Sequence, residues 1–104
     1  MQMDAVTRDA VWPDPKWNIG YIRLNVLINY KLRIPLDAIV EPDSEGFIAR
    51  AVDLPLYGTG EDPLEALTIL KQEIESLYDD LVADDQFTPD WLRVRDFLKQ
   101  AIEK

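Results

Sequence analysis

The chain contains no histidine and no cysteine. Without histidine it lacks the side chain most often used as a general base near neutral pH and the commonest metal ligand. Without cysteine it can build neither a disulfide framework nor a thiolate nucleophile, and zinc sites of the usual kinds are excluded. That absence also fits a cytoplasmic location. Only two serines occur, Ser44 in a turn and Ser76 in mid-helix, and neither has a candidate base near it in sequence. No glycine-rich phosphate loop is present, because Gly58-Thr59-Gly60 is short and set among acids that repel phosphate. No apolar run reaches the roughly 18 residues needed to span a membrane. Met1 to Lys16 carries three acids, two bases and no apolar stretch, so it does not read as a signal peptide.

Basic residues are also scarce. Eleven Lys and Arg against twenty Asp and Glu leave a formal charge of −9, and the bases are scattered. General nucleic-acid binding, which needs clustered cations against phosphate, is disfavoured. What is present is ordinary globular material, 47% hydrophobic and 30% charged over 104 residues. This is enough for one domain, residues 1–104, with a modest core.

Residues 1–18 read as an irregular arm, in which Pro13 and Pro15 exclude helix. Trp12 and Trp17 in this polar setting are expected to bury against the domain or a neighbouring subunit. The competing reading is that they clamp a ligand. Residues 20–40 form an extended region. From Ile22 to Leu36 every even position is apolar and most odd positions are polar, a period of two that means strand with one buried face. The run is too long for one ordinary strand. Either two strands meet near Asn29 or one strand projects beyond the domain, and Pro35 belongs at an edge or a bulge.

Glu41-Pro42-Asp43-Ser44-Glu45-Gly46 reads as a turn entered through Pro42, with Gly46 able to take a positive φ on leaving it. Phe47 to Val52 suits a short strand, closed by Asp53-Leu54-Pro55. The helix over 62–82 has Asp62 as N-cap, Pro63 at the first helical position and Glu65 to complete a capping box. Leu64, Leu67, Leu70, Ile74, Leu77, Tyr78 and Leu81 form its apolar stripe. A second helix over 88–103 is capped by Thr88 and started by Pro89, with Phe87 placed to staple onto Leu92. Its apolar face is Trp91, Val94, Leu98, Ala101 and Ile102.

The residues Gly46-Phe47, Ala49, Leu54-Pro55, Gly60, Glu65, Ala66 and Leu67 resemble the HicB-like antitoxin domain. There a glycine turn and a Leu-Pro step precede a helix opening with glycine, a hydroxyl cap and Glu-Ala. The resemblance covers roughly residues 30–82. Asp62 stands where the family usually has threonine, Leu56 replaces the glycine after Leu-Pro, and the loop to the helix is about one residue shorter. The resemblance implies an α+β fold, a truncated ribonuclease-H-like antiparallel sheet of three or four strands. One long helix crosses one of its faces, and the C-terminal helix packs beside it. It implies no enzyme activity and no cofactor, since the catalytic carboxylates of the parent sheet are missing in the family. The implied function is that of the antitoxin of a type II toxin–antitoxin pair, which binds a small basic RNA-cleaving toxin. The end of the chain, Trp91 to Lys104, offers one helix and no second DNA-reading element, so DNA binding is doubtful.

Acids concentrate where such a partner would need them. Between Glu61 and Asp85 there are nine acids against Lys71 alone, and Glu75, Asp79, Asp80, Asp84 and Asp85 are the candidate contact residues. The plainer reading is a solvated helix face. For self-association, to a dimer or higher, the candidates are Trp12, Trp17, Ile22, Leu24 and Val26 on the arm and the alternating strand. Two other classes stay open. An orphan regulatory or structural module would act through self-association without a toxin. A carboxylate-only site would gather Glu41, Asp43, Glu45 and Asp53 around Mg²⁺, against the reading of these as turn and strand-end residues.

Overall fold

A computed structural model describes residues 20–83 and 86–103. Strands β1 (Gly20–Val26), β2 (Lys31–Asp43), β3 (Gly46–Ala51) and β4 (Tyr57–Gly60) lie antiparallel in chain order. Helices α1 (Pro63–Ala83) and α2 (Pro89–Ala101) follow, and a two-residue β5 (Ile102–Glu103) returns to pair with the start of β2. The expected α+β arrangement is the one observed. The residues of the arm, Trp12 and Trp17 among them, lie outside the described residues.

The long alternating segment resolves into two strands. Leu27 donates its N–H to the Tyr30 carbonyl at 2.8 Å, closing a turn between β1 and β2. Pairing runs regularly from Gly20↔Val40 to Leu24↔Leu36 and then jumps to Val26↔Lys31, so residues 32–35 of β2 bulge out. Pro35, which has no ladder donor to offer, sits in this bulge. Beyond it the alternation changes phase. Leu27, at an odd position, is buried, while Val26, Ile28 and Ile34 at even ones are 49, 48 and 41% exposed.

The β2–β3 connection is tighter than the six-residue reading. Asp43 pairs with Gly46, leaving only Ser44 and Glu45 as the turn, and Pro42 is still in the strand opposite Phe47. Pro42 lies past the Gly20↔Val40 pair, the last one between β1 and β2 among the described residues. Gly46 does not use a left-handed backbone. It is needed for space, since a β-carbon there would fall 2.3 Å from the Gly60 carbonyl oxygen.

β4 was not expected, because a four-residue segment with two glycines has poor strand propensity. Its glycines serve the helix above it. A β-carbon on Gly58 would meet the Leu70 nitrogen at 2.4 Å and the Ala66 oxygen at 2.5 Å, so α1 rests on bare backbone. This contact rotates α1 slightly from its expected phase. The buried stripe is Ala66, Leu70, Ile74, Tyr78 and Leu81, flanked by Leu67 and Leu77, whereas Leu64 is 74% exposed.

The expected cap is present. Asp62 Oδ1 accepts the Glu65 N–H at 2.8 Å, and Glu65 Oε1 accepts a backbone N–H at 2.6 Å, from Glu61 rather than from Asp62 itself. Thr88 occupies the N-cap of α2 without a side-chain cap bond. The second helix ends at Ala101, earlier than expected. Ile102 turns to an extended conformation, donates its N–H to the Leu98 oxygen and is buried beside Leu32 as part of β5. The Arg33 guanidinium fixes this end by donating to the Ile102 carbonyl at 3.0 Å. Trp91, expected on the packed face of α2, is 39% exposed, while Phe97 packs against the core.

Candidate functional site

The acids of this chain divide by where the fold places them. Glu75 is a correction to the expected partner-contact set. It is 7% exposed, the one buried charged residue among those described, and it faces the β1–β2 turn. Its carboxylate accepts the backbone N–H of Asn29 at 2.5 Å, that of Tyr30 at 3.2 Å and the Asn29 side-chain amide at 2.9 Å. One helical turn on, Asp79 accepts the Tyr30 hydroxyl at 2.9 Å. Tyr30 in turn sets its ring edge-on to Tyr78, with centroids 5.6 Å apart. Glu75 and Asp79 therefore hold the hairpin end through Asn29 and Tyr30, beside the Leu27–Tyr30 backbone bond that closes it, and little of the Glu75 side chain is left at the surface. The sequence carried a signal for this: Glu75 follows Ile74 and precedes Tyr78 by three, within the buried arc of the helix.

The Asp79 bond raises the pKa of the Tyr30 hydroxyl above its usual value, with desolvation adding to it, and Asp37 does the same for Tyr21. A raised folded pKa means the contribution to stability is complete below the ordinary tyrosine value of about 10 and is lost as pH rises through the folded value. Tyr30→Phe is expected to be less stable than wild type at neutral pH. The gap should shrink or reverse in strong alkali, where wild-type Tyr30 becomes a second anion beside Asp79. Urea melts at the two pH values check this, and a gap unchanged in alkali would refute it.

A second group of acids meets at the other end of the sheet. The close approach of Gly46 to Gly60 draws the β2–β3 turn against the start of α1. Asp43 and Glu45 from the turn, with Glu61 and Glu65 from the helix start, line an open groove of about 420 Å³ floored by Phe47, Thr59 and Ile69. Asp62 is exposed beside it. Among the described residues the four ion pairs all use arginine, namely Arg23–Asp37, Arg50–Glu41, Arg93–Asp90 and Arg95–Asp96. None of the groove acids has a cation among the described residues. Sequence reading located the helix acids but did not join them to the turn, because that juxtaposition depends on the unexpected β4.

Asp80 is exposed on the outer side of α1, as is Glu73 about two helical turns earlier, while Asp84 and Asp85 lie outside the described residues. Of the self-association candidates, Leu24 is a correction: it is 4% exposed and belongs to the core, since it pairs with Leu36 on the helix-covered face. Ile22 is half-buried against the same core, and Val26 is exposed. The carboxylate-only site is not assembled. Glu41 pairs with Arg50, Asp43 bonds the Ser44 N–H at 2.7 Å, and Asp53 lies past the far end of β3 from Glu45. No three acids among the described residues converge closely enough to hold a metal ion. Among them, too, no helix is long and apolar enough to cross a membrane. Compared with protein-family models, with curated proteins and with solved structures, the chain finds no match in any of the three.

Proposed function

We propose that this chain is a HicB-like antitoxin that neutralises a small basic RNA-cleaving protein by binding it. The observation that carries the reading is the acidic groove, where a turn and a helix start contribute four carboxylates with no cation among the described residues. A second support is that Gly46, Gly60 and the Glu65 cap, all residues of the HicB-like resemblance, are the ones that close this end of the domain. Exposed, uncompensated acids act over distance. They attract a basic protein and raise its association rate, in a manner that salt suppresses. The toxin would present the cations it uses against RNA phosphate, and occupying them would block its RNA-binding face. Asp79 is partly committed to Tyr30, so the groove and Asp80 are assigned the larger share of the contact.

The test is co-purification and growth rescue with a small basic protein encoded beside the gene. Reversing Asp43, Glu45, Glu61 and Asp80 to lysine is expected to slow association at least about tenfold and remove most of its salt dependence, with little change in folding stability. Reversing Asp4 and Asp9 should do little. Unchanged binding by the fourfold reversal, or no basic protein beside the gene, would overturn the reading and leave an orphan module acting through self-association. The exposed Val26, Ile28 and Ile34 at the hairpin end are the observation favouring that second reading.

A further inference from the structure

We infer that the face of the sheet left bare by the two helices, and by the other described residues, is a self-association surface, on which a second copy of this chain docks face to face. The inference does not rest on the existence of a toxin. Both helices bury the face that carries Leu36, Ala38 and Val40, and residues of the opposite phase look away from them. Strand pairing lines up Tyr21, Ile39, Arg50 and Tyr57 in one row across all four strands. Tyr21 and Tyr57 are 57 and 55% exposed, and nothing among the described residues covers them. Arg23 and Asp37 stand opposite one another on one side of the row, and Glu41 stands opposite Ile48 on the other.

The charge pattern selects the occupant. The chain carries −9, so two copies repel one another over most of their surface. On this patch the charges nearly cancel: Arg23 pairs with Asp37 at 3.2 Å and Arg50 with Glu41 at 3.5 Å, and Asp53 adds one acid near Tyr21. A two-fold contact places one patch against itself and requires that the patch be complementary to its own rotated copy. Arg50 within the row, Arg23 and Asp37 on one side of it and Glu41 on the other can meet that requirement, because rotation can bring an arginine of one copy over a carboxylate of the other. Exposed tyrosine and arginine are also the residue types that dominate binding energy when desolvated. A basic partner would gain little from a patch so nearly neutral, compared with the acidic groove. Pairing through the edge of β1 that has no partner among the described residues is opposed by its own sequence, since Arg23 is the middle residue of the strand and a centred antiparallel pair sets it opposite its copy.

The experiment is sedimentation analysis of the full 104-residue chain at micromolar concentrations, with far-ultraviolet circular dichroism and thermal melts as the check on folding. A particle of twice 12.0 kDa is expected. Arg50→Glu, and separately Tyr57→Ser, should weaken the dimer about tenfold or more. Exchanging the pair, Glu41→Arg with Arg50→Glu, should restore most of the affinity. A monomer of 12.0 kDa at every concentration would overturn the inference. A dimer indifferent to Arg50→Glu and Tyr57→Ser would overturn it in favour of edge pairing through β1. An exchanged pair that stays folded but does not recover would overturn it as well.

Discussion

Leu70→Ala is expected to destabilise the domain by about 2–5 kcal/mol, the largest effect of any single truncation in α1. Leu70 is 0% exposed, and its backbone nitrogen lies 2.4 Å from where a β-carbon on Gly58 would fall. The space it leaves has poor means of collapsing. α1 already rests on the β4 backbone and cannot move closer there, and Ala38, Ala49 and Ala66 around the core are too small to swing into a void. Asp62→Ala, which removes one cap bond and a negative charge at the positive end of the helix, should cost only about 0.5–2 kcal/mol. Urea melts compare the two directly. If the cap change proves the costlier, Leu70 is not at the centre of the buried stripe and the phase assigned to α1 is wrong.

Glu75→Ala is expected to cost about 1–3 kcal/mol, because it leaves part-buried N–H donors of the β1–β2 turn without this acceptor and water replaces it only in part. Three N–H donors of Asn29 and Tyr30 depend on this one carboxylate. Asp80→Ala, four residues after Ser76 on the exposed side, should stay within about 0.5 kcal/mol. Stability alone does not separate a clamp from general packing, so amide exchange supplies the second readout. The Asn29 and Tyr30 amides should lose protection in Glu75→Ala and retain most of it in Glu75→Gln, whose amide oxygen can still accept. Equal effects of Glu75→Ala and Asp80→Ala, or protection unchanged at Asn29, would mean that the β1–β2 turn is held by something else.

Much of this architecture was readable in advance where one local rule acted alone. The even-position alternation from Leu36 to Val40 placed the buried face of β2, and Asp62, Pro63 and Glu65 marked the start of α1 to the residue. The resolution of Tyr21–Leu36 into two strands, with Pro35 in a bulge, was one of the two alternatives the alternation left open. Other features resisted because two rules competed. β4 hides its strand character behind glycines that exist for the helix, not for the sheet. Leu64 fits the leucine stripe by spacing, yet Ala66 takes the buried place because α1 approaches the β4 backbone too closely for a larger side chain. The last residues continue a helical pattern, but Ile102 finds a strand partner in Leu32 and leaves the helix. At the candidate site, the acid content of the helix was plain from sequence. Its division into an internal clamp and an external groove was not, because that depends on contacts between residues 29 and 75 and between residues 46 and 60.

The two-residue strand β5 has a consequence in time. Every other strand pairs with a neighbour along the chain, through connections of a few residues, and such ladders can zip up locally. Leu32 and Ile102, by contrast, meet across seventy positions of sequence. Closing that distance is entropically unfavourable until both helices are docked, because only then are the ends already near one another. The β2–β5 pairing is therefore the natural last act of folding. The Arg33–Ile102 contact, made only once Ile102 has arrived, is then a latch on the finished molecule and not a foundation of it.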